Sequence, residues 1–485
     1  MPTPRRRLRA DGALRATFAA IRAEHEVPES FAPDALAEAT AAARAPRTNG
    51  HADLTDLPLV TIDPPGSMDL DQAMHLARTP RGYRVRYAIA DVAAFVAPGG
   101  ALDRAAHERV VTVYCPDQRV PLHPPALSEG AASLLPDQVR PAVVWDLELD
   151  HDGQVTRTGV GRALVRSRAR LAYADVQSSL AGSGDRDALP RLLAEVGTLR
   201  AALEHARGGV SLARPEQEVI EVPGVGWRLE FRGALPVEDH NAQVSLMTGM
   251  AAAQLMLDAG VGVLRTLPTA APDDVTRLRR RAVALGVTWP RGRSYAAVLA
   301  GVDPSRPADA AFLAAATSLF RGAAWEPFRG AAPADPRHGA IAAPYAHVTA
   351  PLRRLVDRYG LEIALAADAD REPPTWVLER LESLGETMAG GSRRAGAVDR
   401  ACTDAVEVAV LGAHVGEVFS GVALDDRTVQ LAEPAVVART VDGDLPAGRR
   451  VRVRLEAVDL AARTITLRRV RGGARTAAGR GPTAP

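Results

Sequence analysis

Three aspartates, Asp63, Asp69 and Asp71, lie within nine residues of one another in the stretch TIDPPGSMDLDQAM, residues 61–74. The Pro-Pro-Gly that follows Asp63 cannot continue a strand ladder, so a strand ends there and the chain must loop. In extended backbone Asp69 and Asp71 would point the same way, because side chains alternate along a strand. The loop can therefore bring this pair back over the first carboxylate.

Carboxylates gathered in this way repel one another by roughly 4 kcal/mol per pair at about 4 Å, with an effective dielectric constant near 20. Such a cluster needs either solvent or a hard cation, and ligation by oxygen alone suits magnesium or manganese. A solvated turn is the alternative, and this stretch by itself leaves both interpretations open.

The residues around the cluster predict strands. LPLVTID (57–63) is a buried run, and GYRVRYAIADVAAFV (82–96) alternates before it becomes apolar. A further pair of alternating runs, within residues 145–171, is joined by Asp152-Gly153, a hairpin signal. Helical patterns then dominate, over residues 187–206, 239–259, 273–285, 308–321, 351–367 and 374–412. Residues 51–412 therefore form a mixed α/β region.

Both ends of the chain differ from this middle region. Residues 1–50 predict a short helical appendage and linker, for which a DNA-reading helix pair is one alternative role. Residues 413–471 contain five short strands, as in a closed OB-type barrel, and residues 472–485 have a disordered composition. The predicted fold class is α+β: a mixed α/β catalytic domain, a C-terminal five-stranded OB/S1-like β-barrel and a helical N-terminal appendage.

Composition excludes several classes of protein. The 485 residues carry 59 basic and 58 acidic side chains, so net charge does not indicate a nucleic-acid partner. Every basic residue is arginine, whose planar fork binds phosphate through two hydrogen bonds. The two cysteines, Cys115 and Cys402, cannot form a disulfide framework and lack metal-ligand spacing. Without a signal peptide or an apolar span, we expect a reduced, cytoplasmic protein and no membrane contact.

At larger scale the sequence resembles the RNase II/RNase R (RNB) family of exoribonucleases. The aspartate stretch is similar to the Asp-rich signature of that family, and four further blocks follow in the family's order: AIADVAAFV (88–96), VYCPDQRVPLHPPALSEGAASLLPDQVRPAVVWDLEL (113–149), RARLAYADV (168–176) and YAHVTAPLRRLVDRYGLEIAL (345–365). An S1-like barrel stands where the family has one. The first fifty or so residues leave no room for the N-terminal cold-shock barrels of many members, so the resemblance is to a short form.

The resemblance implies a metal site. Asp63, Asp69 and Asp71 match three of the family's four metal-site aspartates, and Asp71 falls at the position most critical for activity. The fourth position is Gln72, which offers a neutral carbonyl oxygen in place of a negative charge. We expect this change to weaken the affinity for the cation, Mg²⁺ or Mn²⁺.

The resemblance also implies groups that contact RNA. Arg353 matches the arginine at the scissile phosphate, with a salt bridge to Asp357 as the structural alternative, and Arg354 beside it is a further expected contact. Tyr173 matches a tyrosine near the RNA 3′ end, and Tyr114 matches one that stacks on a base. For both tyrosines a half-buried core position is the alternative.

Two polar residues at the start of a helix, Asn241 and Gln243, lie near positions that line the family's RNA channel. Helix capping and packing are the alternative roles. The implied function is 3′-to-5′ hydrolysis of single-stranded RNA to nucleoside 5′-monophosphates by a monomer. Gln72 also keeps open an RNA-binding protein on a catalytically weakened scaffold, and an exonuclease for single-stranded DNA or a short oligonucleotide is a third hypothesis.

Overall fold

A computed structural model describes residues 11–182, 185, 188–212, 215–222 and 226–471. The tail expected at residues 472–485 lies outside this part of the chain. Eleven α-helices are present within the described residues. In chain order, α1 to α11 are Asp11–Glu24, Pro33–Arg44, Ala101–Arg109, Tyr173–Ser179, Leu189–Ala206, Pro236–Ala259, Pro272–Leu285, Tyr295–Leu299, Pro307–Ala316, Leu355–Asp368 and Thr375–Leu411.

The described residues also form eighteen strands. In chain order, β1 to β18 are Ala52–Asp63, Gln72–Thr79, Gly82–Ala90, Val113–Tyr114, Arg119–Val120, Val139–Leu149, Val155–Ala172, Glu216–Val222, Gly226–Arg232, Val261–Thr266, Ala324–Arg329, Arg337–His338, Ala343–Pro344, Val418–Ala423, Thr428–Leu431, Val437–Arg439, Arg450–Asp459 and Thr464–Arg469.

Five strands close into a barrel in the order β1-β2-β3-β6-β7. β1 closes it by pairing antiparallel with β2 and parallel with β7, and the last pair in the parallel ladder is Asp63 with Ala172. Trp145 and Tyr87 are fully buried in the core that the barrel shares with α6 and α10. The barrel therefore places Asp63, at the end of β1, beside Tyr173, the first residue of α4 after β7.

Helix α6 packs against the segment that leads into α10, and a glycine permits the close approach. A Cβ atom on Gly249 would lie 2.2 Å from the ring of Tyr345 and 2.7 Å from the carbonyl oxygen of Ala346. The Gly249 carbonyl accepts a hydrogen bond from the Ala346 amide at 3.0 Å. This contact fixes the position of Tyr345 next to α6.

The first N-terminal helix, α1, and the C-terminal sheet share a second core. Leu14, Phe18 and Ile21 of α1 are buried against α11 and the sheet, in one apolar cluster that also contains Val429. The five C-terminal strands have the order β16-β15-β14-β17-β18, and a parallel bridge between Thr440 and Leu467 nearly closes them. The apolar face of α1 is therefore used for packing within the chain.

The predicted fold class is confirmed, with a mixed α/β middle region, a five-stranded C-terminal sheet that is nearly a barrel, and a short helical N-terminal appendage. The predicted hairpin turn lies between β6 and β7, where Gly153 has a φ of 80°. The division into domains at residues 50, 412 and 471 stays a prediction. None of the described helices combines the length and the hydrophobicity needed to cross a membrane.

Candidate active site

A cavity of about 520 Å³ lies beside the ends of β1 and β7. Eight of the ten residues predicted to form the site line it, and Asp71 and Gln243 do not. The eight are Asp63, Asp69, Gln72, Tyr114, Tyr173, Asn241, Arg353 and Arg354. Segments that are distant in the sequence therefore meet here.

Asp63 has an oxygen atom without a protein partner. Its Oδ2 atom is buried and accepts no hydrogen bond from any described residue, although Asp69 and Arg353 lie near enough to act on its charge. Burial raises the pKa of Asp63 to about 6; Arg353 opposes this rise, and Asp69 adds to it. A buried acceptor of this kind is available to a ligand.

Asp69 is held by an arginine that the sequence patterns did not single out. Arg119, in β5, forms an ion pair with Asp69 through Nη1 and with Glu129 through Nη2, the latter at 2.6 Å. Both Asp69 and Arg119 line the cavity. The ion pair offsets the negative charge of Asp69 within the protein.

Asp71 lies behind the cavity wall rather than in the cavity. Its side chain is 2% exposed, and both oxygens accept hydrogen bonds: Oδ1 from the Leu352 amide at 2.8 Å and Oδ2 from Arg353 Nε at 3.0 Å. Burial raises the pKa of Asp71 to about 7, against the opposing effects of Arg353 and the Leu352 amide. The expectation that Asp69 and Asp71 point the same way is wrong, because residues 67–71 form no strand.

Gln72 begins β2 and lines the cavity, and its Nε2 donates a hydrogen bond to the Thr349 carbonyl oxygen. Thr349 lies in the same segment as Arg353. The Gln72 amide therefore connects the two sides of the cavity. An ionised carboxylate at this position could not make this hydrogen bond, because it has no hydrogen to donate.

The groups present fit one hydrated cation better than a closed cage. Among the described residues no group of three or more acidic, histidine or cysteine side chains is arranged to hold a metal ion. Asp63 and Asp69 nevertheless share the cavity, and Asp63 Oδ2 has no partner. Magnesium is commonly bound by one or two carboxylates and retains water and substrate phosphate as its other ligands. The donor set fits such a site, while Asp71 has both oxygens engaged.

The two adjacent arginines have different partners. Arg353 pairs with Asp71, and Arg354 forms a two-bond contact with Asp357, in which each N–O distance is 2.7 Å. Arg353 therefore does form a salt bridge, as the structural alternative expected, but its partner is Asp71 and not Asp357. Arg353 keeps 44% of its side chain exposed, so its guanidinium is open to the cavity that it lines.

The predicted aromatic groups differ in exposure. Tyr114 is 51% exposed, whereas Tyr173 is partly buried and its hydroxyl accepts a hydrogen bond from Asn241 Nδ2 at 3.1 Å. Burial raises the pKa of Tyr173 to about 12. Asn241 therefore orients Tyr173, and its own Oδ1 is buried without a partner.

The structure does not support a substrate contact for Gln243. Its side chain is 6% exposed, and Nε2 donates to Glu204 Oε2 of α5 at 2.5 Å. Two residues along a helix lie about 200° apart around its axis, so Asn241 and Gln243 face different neighbours. Gln243 therefore has the alternative role, which is packing within the protein.

Sequence reasoning missed Arg119 and Tyr345, which both line the cavity. Each lies in a stretch that carries the family resemblance, but neither has a spacing that indicates a site. Their positions depend on the β4–β5 hairpin, in which Tyr114 pairs with Arg119, and on the close approach at Gly249.

Comparisons with known proteins identify the family to which the chain is similar. A family model described as the RNB domain matches residues 51–363, and one described as the RNase II-type exonuclease C-terminal S1 domain matches residues 417–470. Ribonuclease R of Escherichia coli strain K12 is 30% identical over 404 residues, which cover 77% of this chain and 48% of that protein. The chain thus spans about half the length of this curated relative.

Solved structures show the same fold at lower identity. RNase R of Mycoplasma genitalium, in complex with ribose-methylated single-stranded RNA, has a TM-score of 0.84 and 19% identity, covering 94% of this chain and 78% of that chain. Yeast Ssd1, described as a pseudonuclease, has a TM-score of 0.66 and 14% identity, covering 84% of this chain and 53% of that chain.

The raised pKa of Asp63 predicts a pH-dependent effect on stability. In the folded chain Asp63 retains a proton up to about pH 6, whereas its ordinary pKa is 3.8, so the free energy of unfolding falls as pH rises between these values. We expect Asp63→Asn to remove this fall and to stabilise the chain at pH 7 by up to about 3 kcal/mol.

Urea unfolding in EDTA at pH 4 and pH 7 measures the free energy of unfolding of both proteins. The exposed turn substitution Asp152→Asn is the control, and equal stability of Asp63→Asn and wild type at pH 7 would contradict the account.

Proposed function

Because the chain belongs to the RNB family, as the match over residues 51–363 and the relationship to Ribonuclease R show, we propose that it is a metal-dependent 3′-to-5′ exoribonuclease. The substrate is single-stranded RNA and the products are nucleoside 5′-monophosphates. The observation that carries the proposal is the cavity itself, where Asp63, Asp69 and Arg353 meet an exposed tyrosine. The family membership supports the activity, and the cavity supports its location.

Arg353 is the proposed clamp for the scissile phosphate. Hydrolysis of a phosphodiester builds negative charge on the phosphate oxygens, and a fixed guanidinium stabilises that charge in the transition state. Asp71 holds Arg353 through Nε, which leaves the terminal nitrogens of the fork for phosphate. In this arrangement Asp71 acts on the reaction by positioning Arg353.

Asp63 and Asp69 are the proposed ligands of a Mg²⁺ or Mn²⁺ ion. Such an ion would supply an activated water and neutralise phosphate oxygens. The partnerless Oδ2 of Asp63 supports this assignment. The assignment of Gln72 and Asp71 as further ligands stays a prediction without such support, since the Gln72 amide is bonded to Thr349 and both oxygens of Asp71 accept hydrogen bonds from the protein.

Tyr114 and Tyr173 are the proposed stacking groups for bases. Stacking on an aromatic ring stabilises a bound base by about 1–3 kcal/mol without regard to its identity. Tyr114, at 51% exposure, needs no rearrangement to receive a base. Both tyrosines therefore suit an enzyme that degrades RNA irrespective of sequence.

A second candidate function is RNA binding without cleavage. Gln72 motivates it, since one acidic position of the family pattern is neutral here. Yeast Ssd1, which shares the fold, is described as a pseudonuclease. The cavity's two carboxylates and Arg353 favour the enzyme over this alternative.

The test is cleavage of 5′-labelled poly(A) by the pure protein with Mg²⁺ or Mn²⁺, alongside Asp71→Asn. We expect a descending ladder from wild type and at least a roughly 100-fold slower reaction from the variant, because Arg353 loses the carboxylate that holds it. The variant should still fold, because burial already raises the pKa of Asp71 to about 7, so a neutral isostere is tolerated. Thermal unfolding checks this.

The same assay separates the alternatives. Retention of RNA by both proteins without any cleavage would favour the RNA-binding protein. Equal cleavage of a labelled single-stranded DNA would favour the DNA or oligonucleotide hypothesis. Cleavage that persists unchanged in Asp71→Asn would remove the proposed role of the ion pair.

Restoring the family's acidic position should strengthen metal binding. Gln72→Asp adds a negative charge to a cavity that already contains Asp63 and Asp69, and we expect the Mg²⁺ concentration for half-maximal activity to fall about threefold or more. Loss of the hydrogen bond to Thr349 should cost about 0.5–1.5 kcal/mol of stability. Gln72→Asn, which alters length without charge, is the control, and identical magnesium titrations of wild type and Gln72→Asp would contradict the expectation.

Truncating the exposed tyrosine should weaken RNA binding without unfolding the chain. For Tyr114→Ala we expect the Kd for a labelled oligo(A) RNA to rise about 5- to 100-fold, the equivalent of losing one stacked base. Tyr114→Phe keeps the ring and should bind almost as wild type. Fluorescence anisotropy in EDTA measures both, and a Kd for the alanine variant equal to that of wild type would show that no base stacks there.

A further inference from the structure

The two cysteines of the chain, 287 positions apart in the sequence, lie beside the same apolar cluster in the folded protein. Cys115 follows Tyr114 at the end of β4, and Cys402 lies in the C-terminal third of α11. Cys402 is 1% exposed within the apolar cluster against which the partly exposed Cys115 packs. The strand that ends just before Cys115 packs against α11, and each thiol affects the pKa of the other, so the two side chains are neighbours. Folding thus brings together a pair that sequence spacing did not connect.

Arg22 of α1 lies near one of these thiols and favours its thiolate form. Arg22 is 4% exposed and donates to Asp117 Oδ1 at 2.8 Å, two residues beyond Cys115, which places its positive charge near that thiol. The neighbouring Cys402 thiol and, to a smaller extent, Arg22 lower the pKa of Cys115, although burial opposes the change. A thiolate beside an arginine is the form that attacks oxidants, and Cys402 stands next to it as a resolving thiol.

The hairpin that carries Cys115 also carries two groups of the cavity. Tyr114 and Arg119 are paired across β4 and β5, and the Cys115 amide donates to the Gln118 carbonyl at 2.9 Å. Successive side chains of a strand point to opposite faces, so Tyr114 lines the cavity while Cys115 packs towards α11. Movement of Cys115 therefore moves Tyr114.

The same stretch of backbone is bonded to the segment that carries Arg353. The Thr112 amide donates to the Arg353 carbonyl at 3.0 Å, and the Leu355 amide donates to the Val110 carbonyl at 2.9 Å. A change at Cys115 can thus reach both the stacking group and the proposed phosphate clamp through the described hydrogen bonds.

From this geometry we propose that Cys115 and Cys402 form a redox modification site, which hydroperoxides oxidise to a disulfide that weakens RNA binding at Tyr114. The second half of the proposal rests on the proposed function. The Cys115 thiolate attacks the peroxide, so that a sulfur–oxygen bond forms, the oxygen–oxygen bond breaks and an alcohol or water leaves. The Cys402 thiol then attacks the sulfenic acid, a sulfur–sulfur bond forms, and hydroxide departs with the Cys402 proton as water. Two thiols are oxidised and one peroxide is reduced.

The disulfide must shift the hairpin, because a sulfur–sulfur bond of about 2.05 Å is shorter than any contact between free thiols. The shift draws Cys115 towards α11 and Tyr114 away from the cavity. We therefore expect the Kd for RNA to rise about fivefold or more on oxidation, which is the lower end of the effect of losing one base stack.

The experiment treats the full reduced chain with hydrogen peroxide and compares it with Cys115→Ser, Cys402→Ser and the double variant. Free thiols are counted after denaturation, and peptides are mapped by mass spectrometry without reduction. We expect wild type to lose both thiols and to yield a peptide linking Cys115 to Cys402, which dithiothreitol releases. Oxidation of Cys115 to a sulfinic acid with Cys402 still free, or disulfides between chains, would overturn the proposal.

Two further measurements test the coupling to the cavity. Anisotropy with oligo(A) RNA in EDTA should show the rise in Kd for oxidised wild type and not for either serine variant. Amide hydrogen exchange in residues 110–120 and 350–356 should slow on oxidation of wild type alone, a result that does not depend on RNA. A disulfide that leaves both exchange and affinity unchanged would overturn the coupling. Absence of RNA binding by the reduced protein would instead count against the proposed function, while the thiol count and hydrogen exchange still decide the disulfide.

Discussion

The ion pair between Asp71 and Arg353 is the contact on which the arrangement of the cavity depends. It joins the loop after β1 to the turn before α10, across 282 positions of sequence. Asp71 is 2% exposed, and a buried carboxylate that lost its partner would be strongly destabilising. The Leu352 amide binds the other oxygen of the same carboxylate, so one side chain fixes both the backbone and the guanidinium of the turn. That turn is also bonded to the backbone just before Tyr114. The ion pair therefore helps to fix the relative positions of three segments.

The three clustered aspartates are stabilised in three different ways, which explains how the chain tolerates them without a preformed cage. Asp71 is neutralised by Arg353 and Asp69 by Arg119, whereas Asp63 has a buried oxygen without a partner. Arginine suits this use because its fork can satisfy a carboxylate and still present donors elsewhere. Arg119 does so by spanning Asp69 and Glu129. The least compensated carboxylate is therefore the one most available to a cation.

Turn residues and hydrophobic periodicity predict most of the fold but only part of the cavity. The strand that ends at Asp63, the turn at Gly153 and the long helix to Leu411 all follow from turn residues and periodicity. The orientation of Asp71 could not be predicted, since irregular backbone between Gly66 and β2 breaks the alternation of a strand. The positions of Arg119 and Tyr345 depend on contacts between distant segments, and Gln243, expected to contact the substrate, is bonded to Glu204 instead. The family resemblance identified residues by position, and packing decided what each of them contacts.

The N-terminal helix contributes to the cavity indirectly, by fixing its most exposed aromatic group. The apolar face of α1 is buried with α11 and the C-terminal sheet, while Arg22 at its end is bonded to Asp117 in the β4–β5 hairpin. In the described part of the chain Tyr114 is the only aromatic side chain that is largely exposed. An exposed ring on a short hairpin would sample many positions unless the base of the hairpin were held, because few buried contacts restrain such a segment. Arg22, Cys115 and Cys402 supply that restraint from the side opposite the cavity, which is why a change in their bonding reaches the ring.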